Sequence, residues 1–334
     1  MTTRTQTKVI QLQAEAITTK EETPFQLVMR RFRRHRMAMI SLVVIVVIFV
    51  ISLFAKQIAP FKPDELSVGS YFLPFGSVDT ETARVHILGT DNIGRDYFSR
   101  LIYAGRISLS VAFLSVLISS LIGITVGAVA GYYGGWVDNI LMRFVEFLLT
   151  IPSLPLLLIL SAMLIQNPDL IPIPGPILFV AGKIMLLSAR DAKQAVLIIL
   201  VLAGLGWLTT AQLMRGMVLS LRNQTFVEAA HSLGASDFFI IFRHMIPNSM
   251  APIIVDASLG MAGYVVAEAA LSFLGFGIQD PIPTWGNMLS ATQQFMLDHP
   301  WLPLVPGLPI FLCSLAFNYI GDGLRDALDP RLKM

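Results

Sequence analysis

Thr225 and Glu228 stand three positions apart at the head of a polar stretch, TFVEAAHSLGASDFFIIFRHMIP, that runs to Pro247 between two membrane-length apolar segments. That spacing is a capping box. The Thr225 hydroxyl is expected to accept from the amide of residue 228, and the Glu228 carboxylate to reach back to the amide of residue 225. Phe226, Ala230 and Leu233 recur at helical spacing and predict one apolar stripe, with Glu228, His231 and Ser232 on another face. Gly234 falls where a helix end favours positive φ. Ser236 is placed to cap a second helix, and Pro247 is expected to end or kink it. Such chemistry is recognition, not bond making: a short, delimited helix for another protein to grip. The plainer reading of the same residues is an ordinary amphipathic helix at a membrane surface.

A second string, Leu88-Gly89-Thr90-Asp91-Asn92-Ile93-Gly94-Arg95-Asp96, is followed by Ser99-Arg100 and Gly105-Arg106. Gly89 and Gly94 suit turns. Asp91, Arg95 and Asp96 can pair among themselves, and Arg100 is an i,i+4 match for Asp96. Phe98, Leu101 and Ile102 offer an apolar face to a membrane surface. Four ionisable residues lie in or beside apolar spans, where burial demands a partner or a function. Arg143 and Glu146, at i,i+3, are expected to pair with each other. Asp256 and Glu268 lie about 120° apart around a helix and need not share a face. Both are candidates for a pathway or inter-subunit contact, with a structural pairing the equal alternative for Glu268. Ser161, Thr209, Thr210, Gln212 and Asn318 add polarity that suits either a pore or, for the hydroxyls, bonds back to helix carbonyls.

Catalytic sets are absent from the sequence. There is no G-x-x-x-x-G-K-[ST] loop to cradle nucleotide phosphates, no H-E-x-x-H, no G-x-S-x-G and no Cys/His cluster. The one cysteine, Cys313, lies inside an apolar span, which excludes a disulfide framework and a Cys-based metal site. The chain is therefore expected to be no enzyme and to bind neither metal nor cofactor.

The elements that position these residues are membrane spans. Hydrophobic residues make up 54% and charged residues 14% of the 334, against roughly 25% charged in soluble domains. Six stretches reach the ~20 residues that a bilayer needs: 37–55, 107–131, 140–165, 195–213, 251–271 and 302–320. Residues 176–187 are too short and carry Lys183, so a re-entrant or interfacial segment is expected there. Arg30, Arg31, Arg33, Arg34 and Arg36 precede the first span and assign the N-terminus to the cytoplasm. Six spans then bring 214–250 and the C-terminus to the same side. The expected layout is a cytoplasmic tail at 1–36, with 1–24 polar and flexible, and a retained anchor at 37–55. An external segment at 56–106, too poor in apolar residues for a secure domain, precedes a five-span core at 107–321 and a cytoplasmic tail at 322–334. No internal repeat is read from the sequence.

Glu228-Ala229-Ala230, Gly234 and Pro247 in register resemble the EAA loop of permeases in binding-protein-dependent ABC importers. Gly89-Thr90-Asp91, Gly94-Arg95-Asp96 and Ser99-Arg100 resemble the external segment of the C-type permeases of dipeptide, oligopeptide and nickel systems. Pro283–Met288 and the C-terminal Asp326-Ala327-Leu328-Asp329-Pro330-Arg331 resemble the same subgroup. The resemblance runs from roughly residue 25 to the end, although the 166–193 loop is longer than usual. It implies an all-α membrane protein of the type I importer permease fold in a bacterial or archaeal plasma membrane. The implied partners are a homologous permease, two ATPase subunits that hold ATP and Mg, and an extracytoplasmic binding protein. Thr225, Glu228, Ala229, Ala230, Leu233, Gly234 and Pro247 would form the coupling element to an ATPase, a helix-in-groove contact. Peptides are the expected cargo, with nickel chelates or oligosaccharides as alternatives. A self-sufficient secondary transporter or channel is the more distant reading, and a membrane-embedded enzyme lacks any nucleophile or metal cluster.

Overall fold

The computed structural model describes residues 23–329 apart from 68, 80 and 81. The expected tail at 1–22, and Pro330 and Arg331 of the C-terminal motif, lie outside the described residues. The chain forms α1 (Pro24–Arg34), α2 (Arg36–Leu53) and α3 (Ala55–Ile58), then a small antiparallel hairpin of β1 (Ser77–Val78) and β2 (Val85–His86). There follow α4 (Tyr97–Tyr133), α5 (Gly135–Thr150), α6 (Ser153–Gln166), α7 (Gly175–Met185), α8 (Ala189–Leu221) and α9 (Thr225–Ser232). Next come α10 (Asp237–Ile240), a π-helical turn at Ile241–Met245, α11 (Ile246–Phe273), α12 (Trp285–Thr292) and α13 (Trp301–Leu328).

Five helices among the described residues are long and apolar enough to cross a membrane, and a sixth crossing is possible if α5 and α6 form one bent span. That pair corrects the expectation of a continuous third span. The helices meet at a bend of 91°. The cause is Pro152, which has no amide proton and drives Ile151 into extended backbone, φ −82° and ψ 128°. α7 has 11 residues, about 16 Å of helix, and is too short to span.

Four expected boundaries move. α4 starts at Tyr97, ten residues before the expected span, because Asp96 caps it by accepting from the Ser99 amide at 2.7 Å. α8 continues to Leu221. α13 runs on to Leu328, so most of the expected C-terminal tail is helix. Within the expected N-terminal tail, Thr23 and Gln26 form a capping box for α1. Phe32, just before α2, packs against Ile320 and Ala327 of α13.

The densest contact is between α4 and α8. Gly123, Gly127 and Gly131 recur every fourth residue of α4 and lie against α8. A Cβ at Gly123 would stand 2.7 Å from Thr210 Cβ, one at Gly127 2.8 Å from Met214 Cβ, and one at Gly131 2.8 Å from the Arg215 carbonyl. Only glycine permits this approach. In lipid, where apolar contact alone gives little drive, such small-residue stripes are how helices associate. α11 and α13 pack beside this pair, and α2 lies against α13. Val43, Val46, Val47, Phe49 and Val50 of α2 remain exposed for lipid. The bundle thus has two ends: a cap end, formed by residues 54–96 and 274–300, and a loop end, formed by residues 222–240.

Candidate functional site: the coupling loop and the cap

At the loop end, α9 is anchored by Val227, which is buried with Ile240, Ile241, Met245 and Ile253 against Ala128 of α4 and Met214 and Val218 of α8. The expected capping box does not form. Gln224 is the N-cap and makes no side-chain cap bond, so Thr225 is already the first helical residue. The expected stripe is corrected too. Ala230 is half-buried, but Phe226 is exposed and Leu233 is 88% exposed. Glu228 and Ala229 are exposed as well, and no ion pair reaches Glu228 among the described residues. The helix therefore turns an apolar and acidic surface away from the chain.

The exit of α9 follows the expectation. Gly234 has φ +80°. The Ala235 amide donates to Ala230 O at 3.1 Å and the Gly234 amide to His231 O at 2.9 Å, the two bonds of a Schellman ending. Ser236 caps α10 by accepting from the Phe239 amide. Pro247 does not end the helix. The turn before it widens to a π-turn, with the Ile246 amide on Ile241 O, and the helix continues into α11. Phe238, Phe239 and Phe242 are exposed beside it.

Tyr132, near the end of α4, joins the two halves of the loop. Its hydroxyl donates to Asp237 Oδ1 at 2.7 Å and lies 3.0 Å from His231 Nε2. Arg215 of α8, whose carbonyl meets Gly131, holds Asp138 of α5 through two bonds, Nη2 to Oδ2 at 2.6 Å being one. The expected Arg143–Glu146 pair is absent: both side chains are exposed on α5.

At the cap end the Gly-Thr-Asp string is a folding device. Asp91 Oδ1 accepts the amides of Ile93 (3.0 Å) and Arg95 (2.9 Å), and Oδ2 accepts Arg95 Nε at 2.7 Å. Thr90 Oγ1 accepts the Leu73 amide at 2.8 Å. Gly89 and Gly94 have φ +68° and +87° and press against the carbonyls of Leu73 and Ser67, where a Cβ would collide. Arg100 corrects its expected partner. It reaches not Asp96 but Asp280, at 2.7 Å, which Arg95 also contacts at 3.2 Å. Asp96 instead caps α4 and holds His86 Nδ1 at 2.8 Å. Phe98, Leu101 and Ile102 belong to the first turns of α4; Ile102 is buried and Leu101 packs on the Trp285 cluster, so neither lies on a membrane surface.

Of the two readings open for Glu268, the structural pairing is the one found within this chain. Glu268 is 0% exposed, and its carboxylate accepts from Ser108 Oγ (2.9 Å) and Ser272 Oγ (2.8 Å). Ser108 Oγ in turn accepts the Trp285 amide at 3.3 Å. Glu268 thus locks α4, α11 and α12 together inside one chain. Asp256 differs: it is half-buried and accepts from Thr210 Oγ1 at 2.7 Å. Pro283–Met288 wraps this lock: Thr284 caps α12, and Asn287 Nδ2 donates to Ile278 O and Ile282 O.

With this geometry in view, family comparison is decisive. Residues 123–334 match the binding-protein-dependent transport system inner membrane component, and residues 23–74 match the N-terminal TM domain of oligopeptide transport permease C. The chain belongs to this permease family. It is similar to the dipeptide transport system permease protein DppC of Alkalihalophilus pseudofirmus, 42% identical over 74% of this chain and 73% of that one. It is also similar to the glutathione transport system permease protein GsiD of Pectobacterium atrosepticum, 36% identical over 93% of this chain and 92% of that one. The GsiD of Escherichia coli is 35% identical over the same shares. The chain is thus a multi-pass membrane permease of an ABC importer and not itself an enzyme. ATP is hydrolysed by partner subunits, and importers of this kind work with a second permease and a substrate-binding partner.

Burial alone would raise the Asp280 carboxyl, but the Arg100 and Arg95 guanidiniums outweigh it and hold it below the usual carboxylate range. A depressed folded-state pKa stabilises the fold fully above the unfolded value of about 3.9, and that contribution fades as pH falls through the lower folded value. Protection against hydrogen–deuterium exchange at 56–96, taken relative to the intrinsic amide rate at each pH, is therefore expected to hold from neutral pH to about 4 and to fall below it. Asp280→Asn should exchange faster at neutral pH and lose that acid step. An acid step of undiminished size in the variant would show that another group controls the cap.

Proposed function

We propose that the chain carries peptide-class substrates, and that residues 225–247 are where an ATPase subunit grips it. The cargo reading rests on relatives named for dipeptides and for glutathione, itself a tripeptide, at 35–42% identity. The coupling reading rests on one observation. A helix held rigidly to α4 and α8 through Val227 and Tyr132 turns Glu228, Ala229 and Leu233 outward. Ala229 leaves room for close approach, Leu233 supplies an apolar knob, and Glu228 supplies a charge for a basic group on the ATPase. Ala230 sets the helix on its base, Thr225 opens it as the first helical residue, Gly234 fixes its exit angle, and Pro247 with its π-turn hands its displacement to α11. ATP and Mg are held by the two ATPase subunits. A homologous permease completes the pathway, with Asp256 and Thr210 among its polar groups, and an extracytoplasmic binding protein delivers the substrate. Gly89, Thr90, Asp91, Gly94, Arg95 and Asp96 keep the cap in shape for that delivery.

In this reading the loop end is cytoplasmic and the cap external. Arg30, Arg31, Arg33, Arg34 and Arg36 beside α2 support it. A cysteine at Ser236 is expected to react with a membrane-impermeant maleimide only in opened cells, and one at Tyr71 in sealed cells. Labelling of Ser236→Cys from outside would reverse the orientation.

Valine at Gly234 is strained at φ +80°, by about 1–2 kcal/mol. That is small against the stability of the bundle and large against the tolerance of a shaped groove. The full complex in proteoliposomes, with its binding protein, should take up a labelled dipeptide with ATP. Gly234→Val should insert normally yet lose uptake and substrate-stimulated hydrolysis, with Glu228→Ala affected less. Wild-type stimulation in Gly234→Val would remove the coupling role, and no peptide uptake by the wild type would remove the cargo.

A further inference from the structure

We propose that the seam between α4 and α7 at the cap end holds one anionic phospholipid, its phosphate on Arg106 and Lys62 and an acyl chain in the groove below. Two adjoining features carry this inference, and neither depends on the transport reading.

The first is a basic cavity of about 1100 Å³ between the 56–65 stretch, Tyr103 and Arg106 of α4, and Leu186 just after α7. Four cations, Lys56, Lys62, Arg84 and Arg106, face two carboxylates, Asp64 and Glu65. Arg84 is already occupied by Glu65 at 3.2 Å and by the Pro60 carbonyl at 2.7 Å. Among the described residues no ion pair reaches Lys56, Lys62 or Arg106. Arg106 is 7% exposed; one Nη donates to the Leu53 carbonyl, while Nε has no partner. A guanidinium that is buried and only partly bonded lacks its counter-charge, and such a group is costly unless an anion completes it.

The second feature is a groove of about 460 Å³ whose wall is almost wholly apolar. Leu114 and Ile118 of α4 form one side, and Ile177, Val180 and Ile184 of α7 form the other. The two features lie in line. Leu114 is eleven residues beyond Tyr103 on α4, about three turns and roughly 16 Å, within about 20° of the same face. Ile184 is two residues before Leu186 on α7. Arg106 immediately precedes the apolar run that begins at Ile107, which sets the cavity at headgroup depth and the groove within the acyl region. Unneutralised positive charge at the mouth of an apolar groove matches an amphipathic anion, since a phosphate takes charge-assisted hydrogen bonds from Arg and Lys. A protein helix from a neighbouring subunit would fill the groove but leave the buried Arg106 charge unanswered.

The test is native mass spectrometry of the purified full complex with phosphatidylglycerol, phosphatidylcholine or inorganic phosphate. Phosphatidylglycerol is expected to be retained in preference to phosphatidylcholine. Lys62→Gln, which removes an exposed charge with no folding partner, should weaken its retention roughly fivefold, the effect of one basic residue at a membrane surface. Val180→Trp, which fills the groove, should weaken it also. Arg106→Gln should do the same where the variant folds. Retention that ignores the headgroup, or is unchanged in both Lys62→Gln and Val180→Trp, overturns the proposal. Inorganic phosphate competing as well as the lipid would make this a soluble-anion site. A disulfide or cross-link from Val180→Cys to another subunit in native membranes would make the groove a protein interface.

Discussion

The structure depends on the near backbone-to-backbone approach of α4 and α8. Inside a bilayer the hydrophobic effect does not press two helices together, so their association rests on close packing and on the few polar groups that can be satisfied between them. Gly123, Gly127 and Gly131 supply the packing by removing every side chain that would hold the helices apart. At 37 and 33 residues, the two are also the longest unbroken α-helices among the described residues. Together they form a strut whose ends emerge on both sides of the membrane, one in the cap and one in the loop.

The two ends are finished in opposite ways. In the cap, buried charge is answered inside the chain, Arg106 excepted: Asp91 by Arg95, Arg100 by Asp280, Asp96 by His86 and the start of α4. Half-satisfied polar networks are costly and fully satisfied ones rigidify, so this end reads as a fixed scaffold. At the loop end only the base is answered, through Val227, Tyr132 and the Arg215–Asp138 pair, while Leu233, Phe238 and Phe239 stay in the open. That exposed apolar surface is the face that the proposed function gives to an ATPase subunit. In the proposed coupling, a displacement of α9 would pass through Tyr132 to α4 and through the π-turn before Pro247 to α11.

Much of this was legible in the sequence, for reasons that are local. Span composition located the long helices, and Gly234 and Ser236 announced the ending of α9 and the start of α10 because those devices need only one or two residues. Local signals also misled. Thr225 and Glu228 have capping-box spacing, yet the N-cap falls one residue earlier, at Gln224, so the pair serves no cap. Ile151-Pro152 was a visible break inside an apolar run, and hydropathy alone read through it. The glycine repeat of α4 was also in plain view; its meaning depends on α8, some 85 residues further on. Tyr132 with Asp237, Arg100 with Asp280 and Ser108 with Glu268 are separated by 105, 180 and 160 residues. No spacing rule reaches such pairs. For that reason the sequence left Glu268 between a pathway contact and a structural pairing.

Glycine-mediated contact between α4 and α8 carries the rest of the fold. Thermal unfolding of the purified complex tests it with two substitutions. Gly127→Leu would drive a side chain into the Ala211 carbonyl and Met214, whereas Gly216, on α8 itself, has nothing within 4 Å of where its Cβ would stand. Gly127→Leu is expected to lower the midpoint by several degrees, the shift of an overpacked core at roughly 1–3 kcal/mol, while Gly216→Ala should leave the midpoint unchanged or raise it. Equal midpoints for Gly127→Leu and the wild type would contradict the account.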